Sequence, residues 1–311
     1  MEYDLYNINY NKTLTLEDNK NIEKKLFEFI DITSCNKESN IFLNTNENQR
    51  DIYYNVIEKY VYEISKNVIY EYNKKNNKNF SIDKFYIEFW AITSDRNNLH
   101  YDKDEINKED NVKPLISAVS YFNDNNLCPF ILTDLEKDTR IEEKTCHEHL
   151  LYFPRKNTLM VFDGGKLLHG RMQLLKCEGL KNRKILPINL WLKQHSPKYK
   201  NFFSYYNHVI RYKNVNQLEN NEILNCDTKL KEYRTIINIE KINKKEIVIE
   251  SIFNNKYEYN RFYLELLHIL AHNDDVNDYK YLNKIKKNIF NMILSYKYNN
   301  LYKIKYKLIS K

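Results

Sequence analysis

Glycine is nearly absent. The chain has four, Gly164, Gly165, Gly170 and Gly179, all crowded around His169. A sequence that withholds its most permissive residue elsewhere needs unusual backbone freedom at this place, so residues 157–193 are where a site is expected. Proline is almost as scarce, and its five positions, 114, 129, 154, 187 and 197, fall in the middle of the chain. That placement suits a stretch made of turns and strand ends. The five cysteines are odd in number, scattered, and without CxxC spacing, which excludes a disulfide framework or a zinc ribbon and predicts reduced thiols. No run approaches the roughly 18 consecutive apolar residues of a membrane span. The start, MEYDLYNINYNK, is neither basic nor apolar, so no secretory signal and a cytoplasmic or nuclear location are expected.

What is present suffices for a core: 42% of the 311 residues are apolar and 14% aromatic. The net charge of +7 is unevenly placed, because residues 198–311 hold 21 Lys and Arg against 12 Asp and Glu. After Asp278 no acidic residue occurs, while lysines from Lys280 to Lys311 recur among tyrosines and isoleucines. A solvated helix face is the simpler account of this run; contact with nucleic-acid phosphates or an anionic membrane surface is the other.

Taken in order, the chain reads first as helical, over 16–32 and 50–72, with Asn48 or Asp51 near the second start. These segments are expected to cover a sheet, and 74–79 to form a loop. From residue 84 the period changes. Segments 84–93, 115–122, 129–134, 149–153, 157–162, 171–175 and 183–193 are short, rich in β-branched and aromatic residues, and bounded by turn residues. With a strand near 99–103 the count is about eight, the number in a jelly roll or cupin-like barrel. Trp90, Phe162 and Trp191 are expected to fill it. Beyond 198, residues 236–240 and 246–252 read as a hairpin, and 257–272 and 279–298 as helices. Three regions follow: N-terminal helical support (1–80), a mainly β core (81–197), and a basic extension of mixed hairpin and helices (198–311).

Chemistry enters at His100 and Asp102, in NNLHYDKDE. On an extended strand residues two apart share a face, so both side chains can reach one metal ion. His169 lies 67 residues after Asp102, on another strand end of the same β segment. Two imidazoles and one carboxylate on one side of an ion, with the opposite positions open, suit non-haem iron and O2 activation. Cys146, His147 and His149, in KTCHEHL, read as exposed polar residues entering a strand. His268 and His272 have the spacing of a helical zinc pair but no third partner, so helix packing is preferred. Arg171 shares a strand face with His169, where a substrate contact and a surface ion pair are equally good readings.

Residues 84–193 resemble the double-stranded β-helix core of the Fe(II)- and 2-oxoglutarate-dependent oxygenases, and within them the prolyl 4-hydroxylase-like branch. The matching features are His100-Tyr-Asp102, the SYFN run from Ser120 to Asn123, His169, and a basic residue followed by a strand ending in Trp191. The resemblance implies His100, Asp102 and His169 as iron ligands and catalytic residues. It implies Fe(II), O2 and 2-oxoglutarate as co-substrate, with ascorbate a candidate reductant. It also implies that 2-oxoglutarate is decarboxylated to succinate and CO2 while an unactivated C–H bond is hydroxylated, on a protein substrate. The far carboxylate would pair with Arg183 and the Tyr121 hydroxyl. A guanidinium grips a carboxylate through two parallel hydrogen bonds. In that branch the basic residue usually lies six before the tryptophan, which here is Ile185; Arg183 lies eight before, and Lys184 and Lys181 remain alternatives.

The expected enzyme is therefore a dioxygenase hydroxylating a prolyl, or less readily a lysyl, side chain. Two other readings stand beside it: a nucleic-acid-directed oxygenase using the tail 280–311, and a catalytically silent jelly roll used for binding.

Overall fold

A computed structural model describes residues 2–33, 41–43, 56–92, 99–103, 112–124, 129–136, 146–171, 184–192, 235–243, 246–253 and 301–308. The expected helices 257–272 and 279–298, and with them His268 and His272, lie outside these residues, as do Gly179, Lys181, Arg183, Asn48 and Asp51. The described chain is mainly β, with two packed sheets and two α-helices.

The chain opens with a strand, β1 (Tyr3–Tyr10), where helical material was expected. Its two faces are both apolar in part: Tyr3 and Leu5 point between the sheets, Tyr6 and Ile8 toward the helices. Burial on both sides masks the simple alternation that marks a half-exposed strand. Helix α1 (Leu16–Thr33) begins at a reciprocal cap. The Asp18 amide donates to Thr15 Oγ1 at 3.1 Å, while the Thr15 amide donates to Asp18 Oδ2 at 2.9 Å. Ile22, Leu26, Phe29 and Ile30 form its buried stripe. After the short β2 (Ile41–Leu43), helix α2 (Val56–Asn76) runs through the positions expected as a loop, to Asn76. It buries Tyr60, Val61, Ile64 and Val68 in the same layer.

The strands that follow are β3 (Tyr86–Phe89), β4 (Ile116–Tyr121), β5 (Phe130–Glu136), β6 (Cys146–Tyr152), β7 (Thr158–Phe162), β8 (Leu167–Arg171) and β9 (Ile185–Trp191). Three more complete the set: β10 (Ile237–Lys241), β11 (Ile247–Phe253) and β12 (Leu301–Leu308). They form a seven-stranded sheet in the order β10-β1-β7-β4-β9-β3-β2 and a five-stranded sheet in the order β11-β12-β6-β5-β8. All pairings are antiparallel except β11 with β12. Isolated bridges add Ile92 opposite Ile185 and His100 opposite His169. From β3 to β9 the chain therefore passes repeatedly from one sheet to the other.

Two apolar layers result. Residues of alternate parity on β4 and β9, such as Ala118, Leu186, Ile188 and Leu190, pack outward beneath the helices. Val119, Tyr121 and Ile185 face inward with Phe130, Leu132, Leu150, Tyr152 and Phe162, between the sheets. Trp191 is buried, and its indole N–H donates to Glu88 Oε2 at 2.9 Å.

Three further expectations are corrected. Of the strand expected over 171–175 only Arg171 lies within the described residues, as the last residue of β8, which begins at Leu167 and so carries His169 in its interior and not at a strand end. The supposed hairpin of 236–240 and 246–252 does not exist: β10 pairs with β1, and β11 with β12, in different sheets. The end of the basic tail is not a helix but β12, seated between β11 and β6. Lys303 and Lys305 alternate outward with Tyr302 and Ile304 inward, a period of two hidden by the compositional run. Lys303 and Lys305 pair with Glu246 at 2.9 Å and Glu148 at 3.4 Å.

Candidate metal centre

His100, Asp102 and His169 converge. One possible ligand atom from each lies within 4.8 Å of the others. His100 Nε2 and His169 Nε2 are each 3.6 Å from Asp102 Oδ1. That is too long for a hydrogen bond. It is close to the ~3.0–3.4 Å separation of donors that each stand ~2.1 Å from a shared ion.

Backbone pairing brings the histidines together. The His100 amide donates to the His169 carbonyl at 2.8 Å and the His169 amide returns the bond at 3.0 Å, which places the two rings 4.4 Å apart. The Asp102 amide donates to the Gly164 carbonyl at 2.9 Å, anchoring the carboxylate strand to the turn between β7 and β8.

Each ligand is also oriented. His169 Nδ1 lies 2.9 Å from the Leu167 carbonyl. A carbonyl only accepts, so Nδ1 carries a proton and Nε2 is the nitrogen turned toward the centre, where its lone pair would serve a bound ion. Phe162 meets the His169 ring edge to face at 4.7 Å and Phe130 stacks on it at 6.0 Å. The Ser117 hydroxyl donates to Asp102 Oδ2 at 2.6 Å, leaving Oδ1 turned to the histidines. Burial by itself would raise the Asp102 carboxyl, but the adjacent His169 and His100 imidazoles hold it well below the usual carboxylate range. It is an anion at every physiological pH.

Gly164 is required here by space. A Cβ at this position would overlap Asp102 Oδ2 and Ser117 Oγ. No described glycine has positive φ, so the glycine cluster marks close approach and not, as expected, a need for permissive backbone.

The centre lies in a pocket with about 430 Å3 of non-protein space, its open mouth included. Phe130, Phe162, Val119, Ile185 and Pro187 supply apolar wall, and Trp90, Asn189 and Arg171 are among the other lining residues. His100 is on the open side, with 42% of its side chain exposed.

The other site residues read from the sequence do not share one location. Tyr121 is buried in the layer between the sheets, on the same strand face as Val119 and Ser117, its ring 5.7 Å from Tyr152. Lys184 turns away from the pocket, its Nζ 4.6 Å above the Phe27 ring of α1. Arg183 lies outside the described residues. Arg171, which the sequence left between substrate contact and surface ion pair, is 3% exposed and lines the pocket. His147 and His149 are not exposed, at 0% and 1%. The sequence reading missed Ser117, although a serine inside the buried strand ISAVSY was a usable signal.

No protein-family model matches the chain, and no curated protein matches it in sequence. Among the described residues no helix is long and apolar enough to cross a membrane.

Proposed function

We propose that the protein is an Fe(II)- and 2-oxoglutarate-dependent dioxygenase that hydroxylates an unactivated C–H bond of a protein side chain, prolyl before lysyl. The observation that carries the reading is the convergence of His100, Asp102 and His169 at one end of an apolar pocket, with both imidazole Nε2 atoms turned to the carboxylate. The set fits a first-row divalent ion on chemical grounds: two neutral nitrogen donors and one anionic oxygen occupy one side, leaving the pocket side for exchangeable ligands. Strand order adds support. The runs β7-β4-β9-β3 and β6-β5-β8, with His100 bridged to the β8 edge, interleave as consecutive turns of a double-stranded β-helix, or jelly roll, would.

Bound iron would couple decarboxylation of 2-oxoglutarate by O2 to hydroxylation, giving succinate, CO2 and the alcohol. The chain's own residues orient and exclude. Ser117 and the Leu167 carbonyl fix two ligands, and Phe130, Phe162 and Ile185 keep water from the inner pocket. Lys303 and Lys305 stand in ion pairs, so these two tail cations do not support a nucleic-acid role.

Purified protein supplied with Fe(II), 2-oxoglutarate and O2 is expected to release succinate, faster with a proline-bearing peptide. Asp102→Ala is expected to lose metal binding and turnover while keeping its circular dichroism spectrum. Succinate release undiminished in that variant, or absent from the unmodified protein, would overturn the reading.

A further inference from the structure

The pocket wall contains a buried amide that the metal centre does not use. Asn189 is 4% exposed and lines the pocket, and among the described residues its carboxamide meets no hydrogen-bond partner. Its place follows from the strands. On β9 it shares a face with Pro187 and Ile185, and these three stand opposite Ser117, Val119 and Tyr121 of β4. The row grades from apolar to polar toward the metal centre. Ser117, whose Cβ lies about 5 Å from that of a cross-strand partner, is the residue that donates to Asp102 Oδ2 at 2.6 Å. On the other flank, Glu88 of β3 is turned to the Trp191 indole, its Oε2 accepting at 2.9 Å. A carboxamide is thus set beside the residue that orients a metal ligand, with both polar neighbours engaged elsewhere.

An amide buried without a partner is unfavourable, and one that faces a pocket is satisfied when the pocket fills. Its two donor hydrogens and one acceptor oxygen, on a neutral group, match a peptide group better than an ion. The rest of the wall agrees. Pro187, Val119 and Phe162 are apolar, and Asp102 is the one carboxylate among the described lining residues, already bonded to Ser117 and turned to the two imidazoles. An ammonium entering this space would find no anion of its own, whereas an uncharged ring leaves no polar group unpaired.

We infer that Asn189 is the residue that reads the primary substrate: its carboxamide hydrogen-bonds the peptide group following a neutral, prolyl-type residue held beside the metal, and so selects that class over cationic side chains. The assignment rests on the dioxygenase reading and names the substrate side of the same pocket.

Calorimetric titration of the full chain loaded with Mn(II) and 2-oxoglutarate separates the two claims. The probes are acetyl-Ala-Pro-Ala-amide, its depsipeptide with an ester in place of the amide after the prolyl residue, and acetyl-Ala-Lys-Ala-amide. The unmodified protein is expected to bind the prolyl amide roughly tenfold more tightly than either of the others, the effect of leaving one buried partner unpaired. Asn189→Leu is expected to bind the amide and the ester alike while retaining its affinity for Mn(II) and 2-oxoglutarate. A leucine variant that keeps the full preference for the amide overturns the role of Asn189. Loss of 2-oxoglutarate affinity in that variant overturns it too, since the amide would then serve the co-substrate. A prolyl probe that the unmodified protein does not bind, or binds no better than the ester, overturns the role of Asn189 and leaves the dioxygenase reading to the succinate assay. An unmodified protein that binds no 2-oxoglutarate overturns both. Should Asn189→Leu fail to fold, shown by lost Mn(II) binding, the smaller Asn189→Ala decides: an unchanged preference overturns the assignment.

Discussion

Gly164 shows how little room surrounds the Asp102 carboxylate. Its missing side chain is occupied by Asp102 Oδ2 and Ser117 Oγ, both parts of a hydrogen-bonded pair that cannot retreat without losing its 2.6 Å bond. Gly164→Ala is therefore expected to weaken metal affinity by about 10- to 100-fold, the usual effect of disturbing a residue that orients a ligand. A metal titration followed by intrinsic fluorescence reads this directly, and unchanged affinity would show that the turn yields. His149 is a second residue whose surroundings set its chemistry. Burial, opposed by Asp134 and aided by His147, pushes its imidazole down to about 3 from an ordinary value near 6.5. The unfolded chain then takes up a proton below pH 6.5 that the folded chain refuses until about pH 3. Stability is complete above 6.5 and falls across that window by about 1.4 kcal/mol per pH unit. Denaturant melts of His149→Leu are expected to lose this slope, and an equal slope in both proteins would place the acid sensitivity elsewhere.

At the scale of elements, the first and last described strands each lie inside a sheet, flanked on both sides. β1 lies between β10 and β7, and the Tyr3 hydroxyl donates to the Glu246 carboxylate, which also meets Lys303. β12 lies between β11 and β6, with Leu301, Tyr302 and Ile304 buried. Ending the chain at residue 300 would expose the β6 edge and remove those buried side chains, each worth about 1.5–3 kcal/mol. Such a truncation is expected to lose cooperative thermal unfolding, as followed by circular dichroism. Deleting residues 280–311 would hence report on folding, and a nucleic-acid role for the tail is better examined by replacing lysines singly.

For the molecule as a whole, the proposed metal site would couple ion binding to stability through mass action. An ion at one hundred times its dissociation constant adds about 2.7 kcal/mol to a fold that binds it only when native. Calorimetric melting with Mn(II) is expected to rise by several degrees over the chelator-treated protein. The same addition is expected to leave Asp102→Ala unmoved, because two imidazoles from separate chain segments would remain without their shared anion. A shift of equal size in the variant would mean that the ion sits elsewhere.

The grouping of His100, Asp102 and His169 was legible in the chain because each of its two parts carries a local signal. His100 and Asp102 alternate on one extended segment, and His169 stands in the chain's one glycine cluster. The inner strands were legible for the same reason, since short apolar runs between turn residues need no partner to declare themselves. What lay beyond the sequence was every decision made by pairing. β1 and β12 are read as helix or tail in isolation and become strands only where unpaired edges of β7 and β6 receive them. The burial of His147 and His149 and the inward position of Arg171 likewise follow from which face of a strand meets the opposite sheet. Spacing along a chain determines which side chains share a face; only the closure of two sheets over one another decides which face becomes the inside.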